Sequence, residues 1–444
     1  MPPKNVKILA LTNLFPPHHA GTFDFRCQTI TEALQKRGHE VRVLTSNHGM
    51  NTEQRDQDIE RRLRLNGVYG HPSLKTYFEL AALEKANHQV LRETLATFEP
   101  DLVHVFSLEG LPKSFIFALR HSQLPTVYDV ADYWIAAGLR RDRWLRWWNR
   151  KPAPLLAGLG RACLELIGQR RRFEETAPTR MMAGYDRLPT VYGSPEFIAK
   201  VEPNSIGGFR FDRIYFCSQM LKERTEAVGF QVRHGEVIYP GIRTERFVAD
   251  VKPQSASITK FLIVSSLEVE CGVMTALQAL LKARENNVRA TLSICGRGES
   301  EYIAQLRSFV IRHQLPVEFL TLSNWHEDLP KVYRAHDAFI YPAEWHEPFA
   351  VTPLEAMAAG LPVIAAKSGG ACELFRNGDN AWVFTPGDAL ELASRIQELQ
   401  MQPVLRCQIA DRAQQQVLAK FNESTVVDQI ENFLTTSLEF WNAN

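Results

Sequence analysis

Short apolar runs alternate along the chain with longer stretches whose apolar residues recur at three- and four-residue spacing. Residues 6–11, apolar except for Lys7, predict a buried strand, and 12–22 form a loop leading to a helix over 24–37. Gly38 then stops the helix, and the Glu-Val-Arg-Val-Leu run ending at Leu44 predicts a second strand. Strand, helix and strand within about 40 residues make a βαβ unit, which requires parallel pairing. Further strands are expected at 102–106, 126–130, 213–217 and 236–239. A polar, proline-containing link over 243–260 precedes a second series at 261–265, 291–295, 317–320, 338–340, 362–366 and 381–384. The expected fold class is therefore α/β, with two doubly wound Rossmann-like domains facing across a cleft and a ligand held where strand ends and switch points meet. Their expected bounds are 1–242 and 243–420. The last stretch, 421–444, carries a helix with apolar residues at helical spacing, a candidate to pack back on the first domain.

Length agrees with two domains, because 444 residues exceed what one core serves. Lys plus Arg number 51 against 50 acids, which excludes a general polyanion-binding field and hence nucleic acid as a partner. The seven cysteines (27, 163, 217, 271, 295, 372 and 407) are scattered and contain no CxxC pair, as expected of reduced packing residues in a cytoplasmic protein. No apolar run approaches the roughly 18 residues of a membrane span. Lys4 and Lys7 precede an apolar stretch, but Pro16-Pro17 follows without a small-residue cleavage site, so a first buried strand is expected rather than a signal peptide.

The chemistry concentrates in Glu347-Pro-Phe-Ala-Val-Thr-Pro-Leu-Glu355. Thr352, Pro353 and Glu355 fit N-cap, first and third helical positions of a capping box. Backbone amides around Ala350, Val351 and Thr352 would then be donors at a positive helix end, suited to a diphosphate. Glu347, just before the turn, has the placement to accept sugar hydroxyls, and Glu355 the placement to accept those of a ribose. A purely structural alternative makes Glu355 the reciprocal capping group and Glu347 an exposed loop acid. The segment continues through a helix, the apolar run 362–366, Gly369-Gly370 and Glu373. That order resembles the donor-binding half of the GT-B glycosyltransferases, specifically retaining family 4. The resemblance covers the whole length and is weakest over 45–100 and 135–210.

The resemblance implies a retaining, metal-independent transfer from a nucleoside diphosphate sugar to a glycan, lipid-linked or small-molecule hydroxyl, in glycan, polysaccharide or glycolipid biosynthesis. It implies that Glu355 binds ribose and that Glu347 binds sugar hydroxyls and steadies charge at the anomeric carbon. No cofactor or metal is implied, and His18 and His19 lack a partner cluster in sequence. Gly21 matches the first glycine of a loop that approaches donor phosphates, with Thr22 in place of the second. Gly296-Arg297-Gly298 and Gly369-Gly370 match further donor-side glycines. Asp132, in Asp-Tyr-Trp, is a candidate to orient the acceptor, and loop capping is its alternative role.

Four departures stand out. Ser266 and Cys271 occupy the positions where this family usually has an arginine and a lysine that hold the diphosphate. Ala131 precedes Asp132 where the family often has histidine, and Ala350 stands where glycine is commoner. Each charge-assisted hydrogen bond contributes about 1.5–3 kcal/mol, so two losses without replacement amount to ~3–6 kcal/mol. Arg243 and Arg297 are candidate replacements. A second reading is a catalytically silent GT-B protein that binds a sugar or a partner.

Residues 139–172 hold ten Lys or Arg and two acids, interleaved with Trp144, Trp147 and Trp148. Such a stretch suits a peripheral contact with an anionic membrane at its inner face. Its alternative is a solvated helical insertion. The run Arg55-Asp-Gln-Asp58 superficially offers a metal motif, but alternating charge there predicts a solvated helix face.

Overall fold

The computed structural model describes residues 5–18, 24–50, 54–55, 58–74, 76–138, 211, 213–230, 232, 234–248 and 259–443. Gly21 and the basic tryptophan segment 139–172 lie outside the described residues. The chain divides into two compact units, Met1–Ile238 with Val427–Asn444, and Tyr239–Val426.

The first unit is built on an eight-stranded sheet in the order β3-β4-β2-β1-β5-β6-β7-β8. These strands are β1 Lys7–Thr12, β2 Glu40–Ser46, β3 Gln54–Arg55, β4 Ile59–Leu63, β5 Leu102–Ser107, β6 Thr126–Val130, β7 Arg213–Phe216 and β8 Glu236–Val237. Every pairing is parallel except β3 with β4. The central strands are buried on both faces, which is why they appear in sequence as mostly apolar runs. Helices Asp24–Lys36 and Tyr77–Phe98 cross between strands, the second opened by a capping box between Thr76 and Glu79.

Strand β4 corrects the expectation for residues 55–58 and their surroundings. The charged Ile-Glu-Arg-Arg-Leu run is a strand, and Gln54–Arg55 is a strand paired to it; residues 56 and 57 lie outside the described residues. Glu60 is 1% exposed, and Arg42, Arg62 and the Thr94 hydroxyl all reach its carboxylate. Arg61 is also buried and donates to the carbonyls of Phe15 and Pro16. Charge along this segment marks internal pairing rather than a solvated face.

The last helix, Glu423–Asn442, enters the first unit from Val427 onward. Asp428 and Glu431 take Arg37 at 2.7 and 2.5 Å, and Glu431 also faces His39 at 2.9 Å. Further along, Arg213 donates to Ser437 at 2.8 Å and Tyr215 packs edge-on against Phe433.

The second unit has a six-stranded, wholly parallel sheet in the order β11-β10-β9-β12-β13-β14. Its strands are β9 Lys260–Val264, β10 Thr291–Cys295, β11 Val317–Leu320, β12 Ala338–Tyr341, β13 Val363–Ala366 and β14 Trp382–Phe384. Strand order reverses between β9 and β12, so the carboxyl ends of these two strands form the switch point at which α/β sheets hold ligands. A continuous core from Phe261 and Ile263 through Leu277 and Leu306 to Trp382 and Ile396 fixes helices against this sheet.

Candidate functional site

The residues that follow β9, β10, β12 and β13 gather at that edge of the second unit. Two loops touch first: Ser265 donates its amide to Cys295 and Leu267 to Arg297. The contact demands glycine. A Cβ on Gly296 would lie 1.9 Å from the Ser265 carbonyl oxygen, and one on Gly298 would lie 2.0 Å from that of Leu267. Gly369 sits at φ +53°, and a Cβ there would meet the Glu347 backbone within 2.6 Å. The Gly370 amide donates to the Glu347 carbonyl at 2.8 Å. These glycines hold the loops in register, and Gly369-Gly370 pins the one that carries Glu347.

Both carboxylates of the motif, and the Glu373 that follows it, take a hydroxyl from a tyrosine. Tyr341, at the end of β12, donates to Glu347 Oε2 at 2.5 Å. Tyr333 donates to Glu355 Oε2 at 2.9 Å and also reaches the Thr352 carbonyl. Tyr239 donates to Glu373 Oε2 at 2.9 Å. Tyr341 and Tyr333 are buried, whereas all three glutamates are half-buried. Burial pushes the Glu347 carboxyl up to about 7, against the Tyr341 hydrogen bond that lowers it. Burial likewise raises Glu355 to about 7, opposed by Tyr333 and by the nearby Arg246.

The capping expectation is corrected here. Helix Thr352–Ala358 starts at Thr352 itself, Val351 is the cap, and no side chain caps it. Glu355 is turned to Tyr333 and is no reciprocal capping group, because the phenol offers a shorter route to satisfying a buried acid. The amides of Ala350, Val351 and Thr352 donate to no protein acceptor among the described residues. Ala350 is 1% exposed, so its methyl group is packed inward.

The candidate cations have contacts within the second unit. Arg243 is held by Glu423 at 2.9 Å. Arg297 lies over the Trp325 ring, 5.9 Å from its centroid. Arg246, which the sequence reading passed over, is the arginine whose charge acts on Glu355. Its signal was available only as an Arg-x-x-Arg pair beside the interdomain link. Ser266 is exposed, and Cys271 is buried with its thiol pushed up to about 11 by burial, so it is uncharged.

In the first unit, Asp132 follows β6. Its Oδ1 accepts the Trp134 amide at 2.7 Å and its Oδ2 the Ser107 hydroxyl at 3.1 Å. Burial raises its carboxyl to about 7, with Glu109 adding to the rise and Lys113 opposing it. The amide bond is the loop-capping contact. Among the described residues no cluster of three or more His, Cys, Asp or Glu could hold a metal ion, and no helix is long and apolar enough to cross a membrane. The described cysteines are all free.

Comparison with known proteins adds an independent line. Residues 251–416 match the model for glycosyl transferases group 1, and 24–154 match that for a glycosyl transferase 4-like domain. The chain is similar to glycogen synthase of Mycobacterium tuberculosis, 31% identical over 219 residues, 48% of this chain and 52% of that protein. The chain thus aligns with about half the length of that relative. An uncharacterized glycosyltransferase of Methanocaldococcus jannaschii is 24% identical over 98% of this chain and 99% of its own. Among solved structures, Anabaena HepE in complex with UDP-glucose superposes with TM-score 0.63 at 19% identity, covering 97% of this chain and all of that one. Sucrose-phosphate synthase from Thermosynechococcus elongatus gives TM-score 0.66 at 17% identity over 98% and 99% of the two chains. These likenesses establish the fold: two parallel Rossmann-like sheets, as in the GT-B proteins.

Proposed function

The chain belongs to the group 1 glycosyltransferases, and from that membership we propose that it is a retaining, metal-independent enzyme moving a sugar from a nucleoside diphosphate to a hydroxyl acceptor. The observation that carries the reading is the pair Glu347 and Glu355, each oriented by a tyrosine at the switch point of the second unit. Glu355 receives the ribose hydroxyls. Glu347 receives sugar hydroxyls and, as a carboxylate, steadies positive charge at the anomeric carbon. The unpaired amides of Ala350 to Thr352 donate to the diphosphate, and the charge of Arg246 acts on Glu355. In the transfer, the bond from the anomeric carbon to the diphosphate oxygen breaks and one to the acceptor oxygen forms on the same face. The acceptor proton passes to the departing phosphate, so no separate pair of acid and base carboxylates is required. Asp132 orients the acceptor from the first unit. The Anabaena relative is complexed with UDP-glucose, which makes a uridine diphosphate hexose the first donor to assay.

Replacing Glu355 by alanine tests the reading. Donor-dependent transfer should disappear with the circular dichroism spectrum and melting temperature retained; unchanged turnover would overturn the assignment. The uncharged Ser266 and Cys271 favour a second reading, a silent sugar-binding protein. Calorimetric titration with a panel of nucleotide sugars separates the two, since a chain that binds none of them is no transferase.

A further inference from the structure

The first unit contains a cavity of about 250 Å³ that the motif analysis did not reach. It lies among the loop after β4, the helix Tyr77–Phe98 and the loop after β5, on the carboxyl-end side of a parallel sheet. Its polar wall is Asn66, Glu84, Glu109 and Lys113, and its apolar wall includes Val68, Leu80 and Leu83. Glu84 is 4% exposed; Ser114 occupies its Oε2 at 2.5 Å, and its other oxygen takes no donor among the described residues. Asn66 uses its Oδ1 on the Leu74 amide at 2.8 Å, which leaves its amide nitrogen without an acceptor there. A deeply buried carboxyl and a carboxamide both present unused hydrogen-bonding capacity to one space.

The chemistry of the walls selects the ligand. Lys113 is spent on the Leu108 and Leu111 carbonyls and stands 4.0 Å from Glu109, so a phosphate would meet an anion before a cation. Burial pushes the Glu84 carboxyl up to about 8, making it at neutral pH an acid that both donates and accepts. An apolar ligand would leave these groups unsatisfied and is disfavoured for that reason. Pockets for drug-sized ligands run to roughly 300–1,000 Å³, so this one admits a single ring and not a nucleotide. A pyranose or cyclitol has one apolar face and a rim of hydroxyls, matching the two walls. Ser107 joins the cavity to Asp132, because its hydroxyl donates to that carboxylate and accepts the Glu109 amide.

We infer that this cavity binds one uncharged, hydroxyl-rich ring, and, resting on the transferase reading above, that the ring belongs to the acceptor. The test uses the full chain without nucleotide and saturation-transfer difference NMR with glucose, galactose, mannose, N-acetylglucosamine and myo-inositol. At least one should bind in the millimolar range. Ser73→Trp, which adds bulk at an exposed lining residue, and Asn66→Leu should each weaken that binding at least tenfold while calorimetric affinity for a nucleoside diphosphate sugar stays the same. Absence of a signal from all five rings, binding that survives Ser73→Trp, or displacement of the bound ring by inorganic phosphate would each overturn the inference. A chain that binds a ring but no nucleotide sugar keeps the cavity and loses the transferase reading; the reverse result keeps the transferase and discards the cavity.

Discussion

Asp129 in the first unit and the motif glutamates in the second are buried in different company. In the first, Asp129 on β6 is 1% exposed and takes Arg26 at 2.8 Å and Tyr215 at 2.9 Å, with His104 bonded in turn to Tyr215. Burial works against the Arg26 charge, but Asp129 outweighs it and leaves the guanidinium charged. Both contacts fall on its Oδ2, and through Arg26 this acid ties the helix Asp24–Lys36 to the sheet. In the second unit, Glu347 and Glu373 are held by phenols, which orient without neutralising, and Glu355 has its phenol with only the field of Arg246 in addition. Glu347 and Glu355 each leave one oxygen without a protein donor among the described residues. A buried carboxylate beside a guanidinium is therefore structural here, and a half-buried one beside a tyrosine hydroxyl is available for chemistry.

Removing the cation from the first arrangement should have the largest effect. Arg26→Leu leaves Asp129 buried and unpaired, and chemical denaturation of the full chain should show a loss of about 3–5 kcal/mol. Adding Asp129→Leu to it should restore part of that stability. If the single variant is as stable as the parent, the distinction between the two kinds of acid fails. Glu347→Gln is the counterpart: steady-state transfer should drop by about 10²–10³ in kcat, while stability changes by less than about 1 kcal/mol.

A smaller effect concerns pH. With its carboxyl at about 7, Glu347 is protonated below that pH, so kcat/KM should fall about tenfold per unit as pH drops below 7 and level off above it. The sign for stability is reversed. A carboxyl raised from 4.5 to about 7 in the native state binds a proton there that the unfolded chain has released, so stability declines as pH rises across that window. Melting temperature measured from pH 4.5 to 8 should show the decline, and Glu347→Gln should make it shallower, the raised carboxyls of Glu355, Asp132 and Glu84 supplying the rest. The smallest effect is that of Tyr341→Phe. Loss of its hydrogen bond removes what holds the Glu347 carboxyl down, so the acidic limb of the rate profile should move upward by roughly 0.5–1 unit. A profile that does not move would show that Tyr341 is only packing.

Much of the fold was legible because parallel strands buried on both faces need mostly apolar runs. Strands β6, β10 and β11 coincide with their expected limits, and the motif around Glu347 stands at the expected strand and helix boundary. Strand β4 was not legible, since Glu60 and Arg61 look solvated until Arg42, Arg62 and the Phe15 carbonyl arrive from elsewhere in the chain. The capping box over Thr352 and Glu355 was misread for the same reason: the local pattern permitted it, and Tyr333 competed successfully from another helix.

Apolar periodicity, glycine placement and the spacing of two acids were sufficient to determine an α/β chain of two sheets and the loop on which its chemistry concentrates, because these depend on neighbours within a few residues. Tertiary structure alone decided which acids are neutralised, which are merely held, and that the charge of Arg246 acts on Glu355. The state of a buried charge is set by whatever the folded chain brings within a few ångströms, and that neighbourhood is not written in adjacent positions.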